Sequence, residues 1–374
     1  MNFVPYADHW VGLHDKNKRL CCVNDTGRSI WQAHDEGLTD TEILRQLSRD
    51  PHSIDTTMEA EARHILHMIR ELDQEPSVAW PQMPVPSGLT LPLPSGYRAD
   101  KRLSSGTFCV GDAIVAVQAL QALFREIVLP LLGHLMSQQQ DQPHLRVRIA
   151  HQKQEYHLQI NDQQISPGSR DALIERVMFE ILEVAYRVKP KLAVLHAAAI
   201  AKNKAALLFI GSQGSGKSTL VASLCARGAS YLADDLCPLD SSGRLVPVPA
   251  PQAIKEGSWP ILGQVHPQLL TSPTYQRFGL SVRYLVPTAP DPDNWLRTWP
   301  VKALVFPMYR PDGPALIERL DAMQKLSYLV KSNSLRGSAE LNELLAWLQG
   351  KPAFRLQYPH IDDAEALLRN NHLI

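Results

Sequence analysis

Cysteine is scarce in this chain: five in 374 residues, at positions 21, 22, 109, 225 and 237, with no C-x-x-C pair among them. That is too few for a disulfide-stapled scaffold, and a reducing compartment, the cytoplasm, is the simplest home. An excess of charge of either sign is also missing. The 38 Lys plus Arg balance 38 Asp plus Glu, which argues against a nucleic-acid coater or a polybasic membrane binder, since both need surplus positive charge. Long apolar runs are absent too. The most apolar region, Ala113 to Met136, is broken by Gln118, Gln121, Arg125 and Glu126, short of the roughly 18 to 20 apolar residues of a membrane span. The first dozen residues carry Asp8 and His9 where a signal peptide would need a basic flank and an apolar stretch. Nucleic acid and membrane are therefore not expected as partners. What remains is 44% hydrophobic and 20% charged, the composition of a globular protein with a sizeable core, and the length suits two or three domains.

Six prolines between Pro76 and Pro94 forbid helix interiors and predict an extended connector, placed at 76–95. Residues 1–75 form the first expected domain. Leu20 to Val23 reads as the end of a small sheet, followed by cap candidates Asn24, Asp25 and Thr26 for a helix carrying Ile30 and Trp31. A second short helix runs through Ile43, Leu44 and Leu47. Met58, Ala62, Ile65, Ile69 and Leu72 recur at 4-3-4-3 spacing and mark a third. Splitting the charge at the connector is informative: residues 1–75 hold 8 basic and 14 acidic side chains, net −6, and the remainder is net +6.

Beyond the connector, 96–374 is expected to be one catalytic domain with its core near 190–310. Residues 146–149 and 156–160 alternate as half-exposed strands do, and 170–187 has the spacing of an amphipathic helix. Two apolar strands follow, Leu192 to Leu195 and Ala205 to Ile210. The second runs into Gly211-Ser-Gln-Gly-Ser-Gly-Lys-Ser218, a match to G-x-x-x-x-G-K-[ST]. Backbone N–H groups of such a loop wrap nucleotide phosphates at a helix N-terminus. Gly211, Gly214 and Gly216 permit the turn, Lys217 contacts the outer phosphates and Ser218 reaches magnesium. Ser212, Gln213, Ser215 and Thr219 complete the expected nucleotide contacts. Asp234 and Asp235 follow at seventeen and eighteen residues after Lys217. Beside a metal and a terminal phosphate, two adjacent carboxylates can divide labour, one taking a proton and the other supporting the metal.

Leu195-His196-Ala197, the loop to Ser218, Arg227-Gly228 and Leu232-Ala233-Asp234-Asp235 together resemble the HPr kinase/phosphorylase family, which shares its core with phosphoenolpyruvate carboxykinases. The likeness covers about forty residues. It implies an α/β P-loop kinase fold using ATP and Mg2+, with Asp234 as the base that activates a serine hydroxyl, Asp235 supporting the metal together with Ser218, and His196 near the phosphates. The family's E-x-R-G-x-G segment is missing after the acidic strand, so a phosphorylase reaction is not expected. In its place Val246 to Gln252 and Lys255 to Trp259 are similar to a diverged group of HPr-kinase-like proteins, as are Ser281 to Tyr284 and Val301 to Arg310. That similarity makes Arg283 a candidate phosphate or substrate contact, with Lys255, Arg310 and Arg336 behind it.

Val23 to Trp31 and Gly37 to Ile43 resemble the PqqD family, small α+β winged-helix-like domains that recognise leader peptides of ribosomally made, modified peptides. The resemblance implies that a leader docks as an added strand near Leu20, Cys21, Cys22 and Val23, facing the helix with Arg63, His64 and His67. The expectation is an ATP-dependent Ser/Thr kinase acting on a precursor peptide held by its leader. A kinase of a small hydroxylated metabolite and a nucleotide-sensing adaptor that transfers nothing stay open, as does a homo-oligomer.

Overall fold

The computed structural model describes residues 3–14, 19–47, 56–74, 103–138, 141–152, 155–288, 292–332, 335–338 and 341–374. The expected connector, 76–95, lies outside them. The fold is mixed α/β. Strands β1 (Phe3–Tyr6), β2 (His9–Leu13) and β3 (Leu20–Val23) form an antiparallel sheet in that order. Helices α1 (Asp25–Asp35), α2 (Asp40–Leu47) and α3 (Thr56–Gln74) follow. Asn24 starts α1 by accepting a hydrogen bond from the Gly27 N–H at 2.8 Å, satisfying one of the orphan donors of a helix start. Cys21 on one sheet face packs with Ile30, Trp31, Ile65, Leu66 and Ile69 of the helices. Tyr6, Val11 and Leu20 on the other face join the core of the rest of the chain, as the period-2 alternation of strands dictates.

A second sheet has the order β6-β4-β5-β7-β8-β9, from β4 (Leu103–Val110), β5 (Ala113–Leu120), β6 (Met136–Ser137), β7 (Leu145–Gln152), β8 (Glu155–Ile160) and β9 (Gln163–Ile165). The apolar stretch from Ala113 is therefore a buried strand followed by tight helical turns, including the short helices α4 (Gln121–Leu123) and α5 (Leu129–Leu132). Its Gln118 accepts from Arg148 Nε at 2.8 Å. Helix α6 (Arg170–Arg187), capped by the Ser169 hydroxyl, lays Leu173, Ile174, Val177 and Ile181 against this sheet.

The third layer is a ten-stranded mixed sheet. It opens with β10 (Ala193–Leu195), β11 (Ala197–Lys202) and β12 (Ala205–Ile210), then helix α7 (Lys217–Ala226), β13 (Ser230–Ala233), β14 (Cys237–Leu239) and β15 (Arg244–Leu245). After a separate small sheet come β19 (Trp299–Tyr309), β20 (Leu316–Arg319), helix α10 (Ala322–Lys331), β21 (Leu335–Ser338), helix α11 (Leu341–Gln349), β22 (Ala353–Tyr358) and helix α12 (Ile361–Asn370). β12, β19 and β22 run parallel, and β12 and the middle of β19 are buried on both faces, which is why those two read as nearly continuous apolar runs. β11 pairs antiparallel with β12 through a two-residue turn in which Asn203 and Lys204 both have positive φ. The small sheet, of order β16-β18-β17, comprises β16 (Gln252–Lys255), β17 (Tyr275–Arg277) and β18 (Leu280–Leu285), with the short helices α8 (Trp259–Gly263) and α9 (Gln268–Thr271) between β16 and β17.

The amino-terminal sheet is not isolated: β3 touches α10 and β1 touches α11. Among the described residues no helix is long and apolar enough to cross a membrane.

Candidate functional site

The loop from Gly211 to Ser218 leaves the carboxyl end of β12 and enters α7, so its amides stand at a helix N-terminus. Gly214 and Gly216 have φ of +86° and +96°, backbone that glycine alone adopts freely. At Gly216 space is limiting as well, since a Cβ there would fall 2.4 Å from the Tyr358 hydroxyl. The Lys217 ammonium is 6% exposed and donates to the carbonyls of Gly211 at 2.6 Å and Ser212 at 3.1 Å. Burial pulls it below the usual lysine range, against Asp234 and Asp235, which favour its charge. Thr219 is spent on the neighbouring turn, its hydroxyl 2.7 Å from that of Ser258.

The two aspartates, adjacent in sequence, occupy unlike environments. Asp234 is 6% exposed. Its carboxylate accepts from the Ser218 hydroxyl, from the Asp235 N–H at 3.0 Å and from Gln252 Nε2 at 3.4 Å. Burial first, and then the charge of Asp235, raise it above the ordinary carboxylate range. Asp235 faces the cavity described below, on strained backbone with φ of +67°. Burial pushes its carboxyl up, but Arg277 foremost and then His196 draw it down, and the net shift is downward. The Arg277 guanidinium donates to Asp235 Oδ2 at 2.9 Å. His196 Nδ1 lies 3.0 Å from the Asp235 carbonyl oxygen, and a carbonyl can only accept, so Nδ1 carries the proton.

Loop and Asp235 meet in a cavity of about 1070 Å³, large enough for a nucleotide plus part of a second substrate. Gly214, Gly216, Lys217, Ser218, Thr219, His196, Asp235, Lys255 and Arg277 line it, with Tyr309, Tyr358 and Ile361 on one flank and Phe179, Phe278 and Leu280 on another. Ser212 and Gln213 also line it. The Ser215 and Tyr358 hydroxyls are buried in or under the loop without a hydrogen-bond partner. The triphosphate of ATP fits the residues present through the loop amides at the start of α7 and the Lys217 ammonium, which line the cavity. The donor set also fits magnesium, which takes one or two carboxylates or hydroxyls and completes its shell with phosphate and water. Among the described residues no group of three or more His, Cys, Asp or Glu is placed to hold a metal ion.

Some expected residues lie elsewhere. Asp234 sits behind Ser218 rather than in the described cavity wall. Arg283 is turned away: its guanidinium donates to the carbonyls of Leu269 and Leu270 at 3.0 and 2.7 Å and to Thr274 Oγ1 at 3.2 Å, and stacks over Trp259. Arg277 lines the cavity and Arg283 does not, because the alternation of β18 sends Arg283 to the face carrying α9. Arg310 is exposed outside the cavity wall, and the side chain of Arg336 lies outside the described residues. Arg277 and Gln252 were not singled out from the sequence. The one available signal for Arg277 was its place before Phe278-Gly279, a two-residue turn between alternating segments. In the amino-terminal unit, β3 is an edge strand, and Arg63, His64 and His67 are on exposed positions of α3.

Comparison with known proteins adds little. No family model matches the chain, and no curated protein does. Among solved structures, the Hpr(Ser) kinase/phosphatase from Coxiella burnetii aligns with 48% of this chain and 96% of its own, at 15% identity and a TM-score of 0.24. A likeness that weak fixes neither fold nor activity.

Proposed function

We propose that the chain is an ATP- and magnesium-dependent phosphotransferase that moves the terminal phosphoryl group to a hydroxyl, the acceptor being a serine or threonine of a precursor peptide held by residues 1–75. The observation that carries this reading is the convergence of Lys217, Ser218 and the Asp235 carboxylate on one cavity at the start of α7.

In the proposed reaction the acceptor oxygen forms a bond to the terminal phosphorus as the bond to the bridging oxygen of ADP breaks, and the hydroxyl proton passes to a site carboxylate. The division of labour that fits the geometry is the reverse of the one the resemblance implies. Asp234, hydrogen-bonded to Ser218 and covered by Gln252, suits the metal side. Asp235, open to the cavity, suits the acceptor. A low carboxylate basicity is no obstacle, because a loose phosphoryl-transfer transition state demands little proton removal. Lys217 and the loop amides stabilise charge on the transferred group. Magnesium, when bound by Ser218 and the Asp234 side, neutralises charge on the phosphates.

Among the described residues β3 pairs only with β2, which supports the peptide reading, since an extended leader could add to such an edge. Docking there raises the local concentration of the acceptor segment. The test is transfer of the terminal phosphate of ATP to a hydroxyl acceptor. Asp235→Asn should abolish it while MgATP still binds.

A further inference from the structure

Three guanidinium groups line the cavity. Arg227 is tied to Asp362 and Glu365 of α12, and Arg187 to Glu183 of its own helix; Asp362 and Glu183 also line the cavity, but none of these carboxylates belongs to the aspartate pair that follows the loop. Arg277 differs: its partner is Asp235, a carboxylate of the site itself.

Its position is also built for exchange. Arg277 ends β17, and the next two residues, Phe278 and Gly279, have φ of +49° and +73°, a tight turn into β18. The hairpin is pinned near its tip. Gln276 N–H donates to Asp171 Oδ2 at 3.0 Å, Phe278 N–H to Glu175 Oε1 at 3.3 Å, and Arg283 fastens β18 to α9. The Phe278 side chain at the tip is 73% exposed at the cavity mouth. The backbone carrying Arg277 is held, while its long side chain reaches into the cavity beside the loop.

Two adjacent carboxylates would repel an incoming triphosphate. Arg277 offsets one of them through a hydrogen bond from Nη1 to Asp235 Oδ2 at 2.9 Å, and a guanidinium is shaped to grip phosphate oxygens with two parallel donors. We propose that Arg277 is a phosphate clamp that exchanges partners: with a nucleoside triphosphate in the loop it leaves Asp235 for the terminal phosphoryl group, which frees the Asp235 carboxylate for the acceptor hydroxyl. The inference rests on the phosphotransferase reading above and adds a residue and an order of events to it. It makes the terminal phosphate, rather than the base or the inner phosphates, the trigger that uncovers the acceptor side.

The test is binding of MgATP and MgADP, measured by calorimetry on the full chain, for wild type, Arg277→Gln, Arg277→Lys and Asp235→Asn. Loss of a charge-assisted contact to the terminal phosphate should weaken MgATP roughly tenfold or more in Arg277→Gln, with MgADP within about twofold of wild type. Arg277→Lys, which keeps the charge and guards against a folding defect, should fall between. Asp235→Asn removes the competing partner and should tighten MgATP. Equal weakening of both nucleotides by Arg277→Gln, or unchanged MgATP affinity, overturns the clamp and leaves the phosphotransferase reading standing. A wild-type chain that binds neither nucleotide overturns that reading, and the clamp with it.

Discussion

Gly216 shows how much of the site is decided by single atoms. A side chain there meets two obstacles, a left-handed backbone and the Tyr358 hydroxyl 2.4 Å from where its Cβ would stand. Gly214 meets only the first, since nothing lies within 4 Å of its Cβ position. Gly214→Ala should therefore cost about 1–2 kcal/mol of stability, and Gly216→Ala more, together with most of the nucleotide affinity. Adding Tyr358→Phe to Gly216→Ala should recover part of the loss in thermal melts. The hydroxyl it removes is buried and unpartnered, so the single change should be close to neutral. Asp234 yields a prediction of opposite character. Its folded-state pKa is raised, so the native state holds its proton more tightly than the unfolded chain does. Stability from this group is full below the unfolded carboxylate pKa and declines as pH rises through the folded value. Asp234→Asn should accordingly stabilise the unliganded protein by on the order of 1–3 kcal/mol at pH 8 and far less at pH 4, in chemical denaturation at the two pH values. The loop, Lys217 and the aspartate pair were legible because their spacing is local. Which aspartate faces the cavity was not, because the positive φ of Asp235 and the approach of Arg277 from forty-two positions away arise only in the folded chain.

At the scale of elements, the sequence pattern located α6 and β12 at their observed bounds, since each combines periodicity with a cap or a glycine boundary. It missed β11. Ala197 to Lys202 is alanine-rich, with little alternation to read, and its turn, Asn203-Lys204, lacks the glycine that usually marks a two-residue hairpin. That gap has a consequence. Lys204, at φ of +64°, holds a conformation costly for a residue with a Cβ. Lys204→Gly should stabilise the protein by roughly 0.5–1 kcal/mol, raising the melting temperature with no effect on nucleotide affinity. The β17–β18 hairpin escaped notice for a related reason: Phe278 occupies the positive-φ position before Gly279, where an asparagine or glycine would have announced the turn.

For the whole molecule, the zero net charge conceals an acidic first unit and a basic remainder, a split visible in composition alone. How the two are joined was not visible. One face of the first sheet, with Tyr6, Val11 and Leu20, shares a core with Leu326 and Leu329 of α10 and Leu344, Leu345 and Leu348 of α11. Removing residues 1–74 would uncover part of that surface, at about 25 cal/mol per Å² of apolar area. The truncated chain should lose several kcal/mol of stability and melt markedly lower by calorimetry. An unchanged melting temperature would show that the contact is energetically idle. Loss of turnover after such a truncation would thus mix recognition with folding.

The central claim, phosphoryl transfer at the Lys217–Asp235 cavity, is tested most directly by incubating the full chain with magnesium, terminally labelled ATP and candidate precursor peptides that carry a leader followed by serine or threonine. The account predicts label on a serine or threonine of the peptide, retained MgATP binding but no label with Asp235→Asn, and neither binding nor label with Lys217→Met. Tight MgATP binding by the wild-type chain with no label on any hydroxyl acceptor, or undiminished labelling by Asp235→Asn, would contradict it.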